Sequence, residues 1–160
     1  MKISTKGRYA LRLMICVAEK GDDTLTTLRE VAEEQDISVK YLEQLVSALT
    51  GAGLLQGHRG ARGGYSLQRP ATDITAGDII RASEGGTAPV ACLEDGFGVC
   101  PRQDFCETLD FWEGLDDAID TYLDSVKLSD LATRSLEAKA RAAEWLPDLV
   151  KPGEGICNDR

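Results

Sequence analysis

The sequence predicts a mainly α-helical fold that contains one small β-hairpin and continues into a long helix. Three observations predict it: three short helical patterns within residues 5–53, two strand-like pieces joined by a glycine-rich tip, and a longer helical pattern over residues 108–126. Helices repeat their apolar residues every three or four positions, whereas strands alternate. Three helices followed by a hairpin make a winged helix-turn-helix domain, which we assign to residues 1–86.

The first predicted helix runs from about residue 5 to residue 20, where Gly21 and two aspartates end it. Apolar side chains at positions i, i+3, i+4 and i+7 share one face, and that face is buried when the helix packs on a core. The residues that follow this pattern are Leu11, Met14, Ile15 and Ala18.

The second and third helices are predicted from their capping residues. Thr27 and Glu30 form a capping box, in which hydroxyl and carboxylate satisfy the first free amides of a helix that ends near Gln35. Ser38 caps the third helix, and glycines 51 and 53 end it. The expected buried face of this third helix consists of Leu42, Leu45, Val46 and Leu49.

The hairpin is predicted from residues 54–59 and 64–68, which read as short strands on either side of the tip at 60–63. Glycine gives this tip the backbone freedom that a tight turn requires. Thr75 and Asp78 then open a fourth helix, which two glycines at 85 and 86 close.

Residues 87–107 are predicted to be a loop, and residues 108–128 a dimerisation helix. Apolar residues of this helix step by three and four, as in a helix-to-helix seam. They are Trp112, Leu115, Ile119, Tyr122 and Val126. We expect two copies of the chain to meet here as a homodimer, because a small domain has little other core for such large groups. The alternative is a helix packed on its own domain.

Residues 129–160 are expected to form a C-terminal helix and a mobile tail. The helix covers about residues 129–145, with Leu136, Ala140 and Ala143 on one side. Two prolines and a glycine follow it, and chain ends of this composition are commonly mobile.

The formal charge of −9 is divided unevenly, with +2 in residues 1–70 and −11 in residues 71–160. Sequence-independent DNA affinity comes from neutralised phosphates, so we expect double-stranded DNA to be bound at selected sites and through the first half. No apolar run approaches the roughly 20 residues that span a bilayer. Arg12 interrupts the apolar stretch of the first helix, which argues against a signal peptide. We expect a cytoplasmic protein without a membrane segment.

Three of the five cysteines lie within fifteen residues of one another, at Cys92, Cys100 and Cys106. Cytoplasmic cysteines point to metal or redox chemistry more than to structural disulfides. The spacing leaves three alternatives open: an iron–sulfur cluster, a zinc site, or redox-active or buried thiols. Cys16 is expected to be a buried core thiol, and Cys157 stands alone.

Four segments together closely resemble the iron–sulfur cluster regulators related to IscR, the Rrf-type family of winged helix-turn-helix transcription regulators. The segments are 1–12 (MKISTKGRYALR), 37–45 (ISVKYLEQL), 59–67 (RGARGGYSL) and 74–85 (ITAGDIIRASEG). The resemblance covers about residues 1–131, and the family includes nitric-oxide-sensing, iron-responsive and cysteine-metabolism repressors. It implies a winged-helix domain, a dimerisation helix, and a cluster loop between them.

The resemblance favours an iron–sulfur cluster, [2Fe–2S] or [4Fe–4S], held by the three loop cysteines, with a spacing most like that of iron-responsive members. The fourth ligand is unassigned. Where some members have a histidine after the last cysteine this chain has Leu109, and where others use an aspartate of the partner's first helix it has Arg8. Asp104, Glu107, Asp110, Cys157 and a small molecule remain open as ligands.

Three groups of residues are candidates for contacting DNA. The third helix carries polar residues off its buried face, where they can reach base edges and phosphates: Ser38, Lys40, Tyr41, Glu43 and Gln44. The resemblance supports Glu43, because the family reads DNA with a glutamate at the matching position. Arg59 and Arg62 at the hairpin tip suit a narrow minor groove, and Arg59 matches a family arginine. Lys6 and Arg8, with Lys2, are expected near phosphate.

Together these features predict a sequence-specific DNA-binding regulator, a repressor, that senses iron, cluster status or redox stress through its loop. The first rival is a cluster-free relative that responds through thiol oxidation or a partner protein, for example in cysteine metabolism. An enzyme or electron carrier ranks last, since the sequence contains neither a paired acid and base nor a phosphate-binding glycine loop. We therefore predict that the protein is not an enzyme.

Overall fold

A computed structural model describes residues 3–21, 24–60, 62–94, 96 and 100–145. The expected mobile tail from residue 146 onward, with Cys157, lies outside these residues, as does Lys2. The α-helices are α1 (Thr5–Glu19), α2 (Leu28–Gln35), α3 (Val39–Gly51), α4 (Ala76–Glu84), α5 (Leu109–Ser125) and α6 (Leu128–Trp145). The strands are β1 (Leu55–His58) and β2 (Gly64–Leu67), and short 3-10 turns cover Ala71–Asp73, Ala91–Leu93 and Gln103–Phe105.

The helix starts follow from local capping chemistry. The predicted capping box of Thr27 with Glu30 is present, Thr75 and Asp78 form a second one where the fourth helix was predicted to open, and each box satisfies amides that the helix itself leaves free. Ser38 accepts a hydrogen bond from the Tyr41 amide at the start of α3. Between α2 and α3 the chain turns at Asp36, whose φ of 53° is left-handed. This single residue ends α2 and sets the entry of α3.

Helix α1 is central, since it contacts α2, α3, β2, α4 and α6. Its buried stripe is Ala10, Leu13, Met14 and Val17, together with Gly7 and Cys16. The predicted face of Leu11, Met14, Ile15 and Ala18 is therefore wrong by about one residue, although Met14 is shared. Leu11, Ile15 and Ala18 pack on the rim of the core and are partly buried. A helix surrounded on several sides has no single polar face, so periodicity alone does not fix which stripe lies deepest.

The predicted hairpin is present. Its antiparallel register pairs Leu55 with Leu67 and His58 with Gly64. Thr26 joins it to the segment before α2, because its amide donates to the Tyr65 carbonyl at 2.9 Å and its carbonyl accepts from the Tyr65 amide at 2.8 Å. The wing is thus held to the domain by main-chain bonds.

The C-terminal helices return to the domain through the junction between α5 and α6. The Ala76 amide donates to the Val126 carbonyl and the Leu128 amide donates to the Ile74 carbonyl, both at 2.9 Å. Leu128 is fully buried, and α6 packs along α1. No helix among the residues described is long and apolar enough to cross a membrane.

The predicted helix α6 is present, but the side that carries Leu136, Ala140 and Ala143 does not pack on the core. Leu136 is 49% exposed, and Ala140 and Ala143 are also exposed, whereas Leu128 and Ala132 are the buried members of this helix. Only the first turns of α6 reach the core. Later turns contact the domain through charged groups, which hydrophobic periodicity does not detect.

Candidate nucleic-acid interface and cysteine segment

Helix α3 separates an apolar face from a polar one. Its predicted buried residues, Leu42, Leu45, Val46 and Leu49, all lie in the core. Lys40, Glu43 and Gln44 are exposed on the other side. A helix that is anchored along one stripe and carries donors and acceptors on the opposite one can enter a major groove without exposing its core.

Two residues predicted to contact DNA from α3, Ser38 and Tyr41, also stabilise the fold. The Ser38 hydroxyl caps the helix at 3.3 Å from the Tyr41 amide. The Tyr41 ring packs edge-on against Tyr9 of α1, with centroids 5.7 Å apart, and is half-buried. Burial raises the Tyr41 pKa, with further contributions from Tyr9 and Glu84. Tyr41 therefore joins α3 to α1 whatever else it contacts.

The N-terminal turn of α1 exposes Lys6 and Arg8. Ser4 caps this turn, since its hydroxyl oxygen accepts from the Lys6 amide at 3.0 Å. The sequence reasoning missed this cap, although serine just before a helix is a recognised signal.

The wing exposes both predicted arginines, Arg59 and Arg62. Gly60 has a φ of 127°, a backbone conformation that favours glycine. A Cβ on Gly63 would lie 2.4 Å from the His58 carbonyl oxygen, so only glycine fits there. The His58 ring lies 2.9 Å from the Ser66 hydroxyl across the hairpin. The glycines thus permit a tight turn that presents the two arginines.

The loop cysteines Cys92, Cys100 and Cys106 are free and half-buried. Among the residues described, they do not form a group of three ligand atoms within 4.8 Å of one another; the one group found is Cys16, Glu19 and Glu34. Thiolates are suitable donors for an iron–sulfur cluster. The donor set therefore fits a cluster in chemistry, while the three sulfurs are not gathered around one point.

Cys106 lies just before α5, with its sulfur 3.6 Å from the Thr108 hydroxyl. Hydrogen bonds from the Thr108 amide and hydroxyl lower its pKa below the usual thiol value. The candidate fourth ligands Asp104, Glu107 and Asp110 are all exposed around it. The C-terminal end of the cysteine segment is therefore open to solvent.

Cys16 is the opposite kind of thiol. Its side chain is buried in α1, and its sulfur accepts a hydrogen bond from the side-chain amide of Gln35 at 3.2 Å. Burial, and then the nearby Glu34 carboxylate, raise its pKa to about 12. A thiol in this state is a poor nucleophile.

Helix α5 faces its own domain with carboxylates. Arg81 of α4 donates to Asp120 at 3.2 Å and also pairs with Asp124, and the Thr87 hydroxyl donates to Asp120 at 2.7 Å. Asp116, one helical turn before Asp120, is half-buried and has its pKa raised by burial and by neighbouring carboxylates. The four-residue spacing of these aspartates was a signal for this polar stripe that the sequence reasoning missed.

The apolar stripe of α5 is not fully buried by any of the residues that the structure describes. None of its predicted residues, Trp112, Leu115, Ile119, Tyr122 and Val126, is buried. Leu115 is 37% and Tyr122 68% exposed, and Phe111, which packs edge-on against Trp112, is 63% exposed. Trp112, Ile119 and Val126 are half-buried, so the homodimer seam and packing on the chain's own domain both stay predictions.

Three helices, of which α3 has an exposed polar face, are followed by a wing that carries two arginines. This arrangement defines a winged helix-turn-helix DNA-binding protein. The family model Rrf2, described as an iron-dependent transcriptional regulator, matches residues 3–134. The chain belongs to the Rrf2 family of DNA-binding transcription regulators.

Individual relatives agree with this assignment. The chain is 46% identical over 133 residues to the HTH-type transcriptional regulator CymR of Bacillus subtilis, covering 83% of this chain and 91% of the relative. It is 39% identical over 137 residues to the HTH-type transcriptional regulator IscR of Cereibacter sphaeroides, covering 82% and 86% respectively. The solved structure of CymR, the global cysteine regulator of B. subtilis, aligns with a TM-score of 0.70 at 43% identity, over 84% of this chain and 98% of that one. These relatives are regulators and not enzymes, as predicted for this chain.

Proposed function

We propose that this protein is a homodimeric transcription repressor that reads a specific operator and is switched by the chemical state of its cysteine segment. The observation that carries the proposal is the two-sided α3, with Leu42 and Leu45 in the core and Lys40, Glu43 and Gln44 exposed. The exposed side can exchange hydrogen bonds with base edges, while Arg59 and Arg62 extend toward an adjacent minor groove. As part of this proposal, the protein acts in the cytoplasm, in contact with the DNA that it regulates.

The homodimer is proposed from the exposed apolar stripe of α5. Contiguous exposed apolar surface on a small domain marks an interaction site. A second copy of the same helix offers an equally apolar partner, and two-fold pairing is the commonest arrangement of identical subunits. Two-fold pairing also presents two recognition helices to half-sites about one turn of DNA apart.

The first candidate for the switch is a cluster-free response through the thiols themselves. The 46% identity to CymR favours this response, since CymR is a cysteine regulator. The loop cysteines favour it too, because among the residues described their three sulfurs are free and are not gathered around one point. In this chemistry, two loop thiols give two electrons and two protons to one hydrogen peroxide. One S–S bond forms and two water molecules leave. A partner protein that binds the segment is the other cluster-free route.

The second candidate is an iron–sulfur cluster held by Cys92, Cys100 and Cys106. It is favoured by the family model's description as iron-dependent and by the similarity to IscR. Such a cluster, when bound, supplies iron that is sensitive to oxidants and to iron supply. Binding it would require the loop to bring the three sulfurs together and so to order the segment before α5.

One anaerobic preparation tests both candidates. The full chain is reconstituted with iron and sulfide, its visible absorbance is recorded, and enrichment of random duplexes selects its DNA site. A sequence-selective, two-fold symmetric site supports the repressor, and the absence of any preferred duplex refutes it. Visible bands that disappear in C92A, C100A or C106A establish the cluster. A colourless protein whose selected site is released by hydrogen peroxide, and retained in the three-alanine variant, establishes the thiol route.

A further inference from the structure

Glu84, the last residue of α4, lies at the beginning of α1. Its Oε1 accepts hydrogen bonds from the Ser4 amide at 2.9 Å and from the Gly7 amide at 2.8 Å. The Ser4 hydroxyl lies 2.8 Å from Oε1 and 2.9 Å from Oε2. The first amides of a helix have no partner within it, so a carboxylate placed there satisfies two of them. Glu84 therefore completes a cap that Ser4 begins, across a separation of about eighty residues.

This cap matters for charge as well as for hydrogen bonding. Helix α1 has no acidic residue in its own first turn, and the exposed charged side chains there are Lys6 and Arg8. The positive end of a helix is stabilised by a nearby anion. Glu84 supplies that anion on the inner side and leaves the two basic side chains on the outer side.

The contact is close enough that a side chain on Gly7 would require the Glu84 or Ile3 side chain to move. A Cβ there would lie 2.7 Å from Glu84 Oε1, 2.9 Å from Ile3 Cγ2 and 3.2 Å from Ile80 Cδ1. Gly7 is itself buried. The start of α1 and the end of α4 are thus fitted closely together, and a movement of one displaces the other.

The end of α4 also meets α5 and the cysteine segment. Arg81, one turn before Glu84, pairs with Asp120 and Asp124 of α5. Leu93 and Glu94, which directly follow Cys92, line the same polar cavity of about 360 Å³ as Arg81 and Glu84. One helical turn of α4 therefore borders the DNA-facing start of α1, the proposed dimer helix and the segment that carries the cysteines.

We infer that Glu84 is a positioning residue that holds the Lys6 and Arg8 end of α1 in place for DNA phosphates and transmits changes in the cysteine segment to it. This inference rests on the proposed function. Leu93 and Glu94 line one cavity with Glu84, and we expect a rearrangement of this wall to displace the Glu84 carboxylate. Through Glu84 it alters the place of two basic side chains relative to the duplex.

The test is the salt dependence of DNA binding by the full chain. Each phosphate contact that is lost reduces the slope of log K against log salt concentration by about 1. E84Q keeps the size of the side chain but turns a carboxylate that accepts hydrogen bonds from three donor groups (the Ser4 amide, the Ser4 hydroxyl and the Gly7 amide) into an amide that itself carries two N–H donors. We expect its slope to be about 1 to 2 shallower than that of the wild type. E144Q, with the same charge change on an exposed position of α6, should keep the wild-type slope.

A double-mutant comparison separates positioning from general damage. In a K6M background the further effect of E84Q on the slope should shrink, because one of the contacts it positions is already gone. If E84Q is folded and has the wild-type slope, or if its effect is the same with and without Lys6, the inference is wrong. If E84Q does not fold, S4A is used instead, because it removes the hydroxyl partner of Glu84. The slope for S4A is then measured with and without the K6M substitution. The slope is measured on any duplex, so absence of a preferred operator counts against the proposed function and not against this inference.

Discussion

The Lys139 ammonium group of α6 donates to the Glu19 carboxylate of α1 at 2.5 Å and also pairs with Glu34 of α2. The Glu19 side chain is only 7% exposed, and its second oxygen is buried with no hydrogen-bond partner among the residues described. A carboxylate that is buried and lacks other hydrogen-bond partners is stabilised mainly by the cation beside it. Lys139 is thus the residue that attaches the outer half of α6 to the helices of the DNA-binding domain.

We predict that K139M destabilises the protein, although methionine preserves the apolar stem. The loss leaves the Glu19 carboxylate buried without its cation, which should lower the free energy of unfolding by about 1–2 kcal/mol. Urea denaturation measures this value. In the E19Q background the same substitution should cost less, because no buried charge remains. R141M, which breaks an exposed pair with Glu137 on the same helix, should cost about 0.3 kcal/mol. Equal losses in K139M and R141M would contradict the prediction.

The capping box of α2 predicts a pH-dependent contribution to stability. Hydrogen bonds from the Thr27 amide and hydroxyl lower the pKa of Glu30 from 4.5 to about 2. Because the folded state has the lower pKa, this contribution is complete above about pH 4.5 and is lost as the pH falls toward 2. E30Q should therefore lower the free energy of unfolding by about 1 kcal/mol at pH 7.

The difference between E30Q and the wild type should narrow steadily in denaturation experiments below about pH 4.5, where Glu30 begins to protonate. E33Q, an exposed substitution on the same helix and outside the capping box, is the matched control. Its free energy of unfolding should change with pH in the same way as that of the wild type. A constant difference between E30Q and wild type at every pH would show that the carboxylate charge is not what stabilises the cap.

The exposed stripe of α5 predicts the oligomeric state. Sedimentation equilibrium of the wild type should give twice the chain mass of 17.3 kDa. L115E places a charge in the middle of the stripe and should shift the mass to that of one chain, since an unpaired charge is costly in an apolar interface. T121E, on an exposed position away from the stripe, should remain a dimer. A monomeric wild type would remove the two-fold arrangement from the proposed function.

The wing predicts a loss of affinity without a loss of stability. R59A should weaken binding to the selected operator about tenfold or more, because an arginine in a groove is worth about 1–3 kcal/mol. Its thermal unfolding should match the wild type, since Arg59 is exposed. R134A, which removes the same charge from an exposed position on α6, controls for the general electrostatic effect. If both variants bind equally well in a gel-shift titration, Arg59 does not contact DNA.

Local signals predicted this fold well, and contacts between distant residues account for what was missed. The Thr27–Glu30 and Thr75–Asp78 boxes are read within four residues, so the sequence places those helices directly. The α1 face shifted by one residue because neighbouring elements cover this helix on several sides, which its own periodicity does not encode. Glu84 and Ser4 are eighty residues apart in sequence, and only the packed structure brings them into one cap.

Helix α5 is fixed at one end and joined to the cysteine segment at the other. Main-chain hydrogen bonds between Ala76 and Val126 and between Leu128 and Ile74 hold the C-terminal end of α5 to the domain. Its 17 residues form a rod of about 25 Å, so a displacement of about 2 Å at the free end is a swing of about 5°. We therefore expect a rearrangement of the cysteine segment to tilt α5 about its junction with α6.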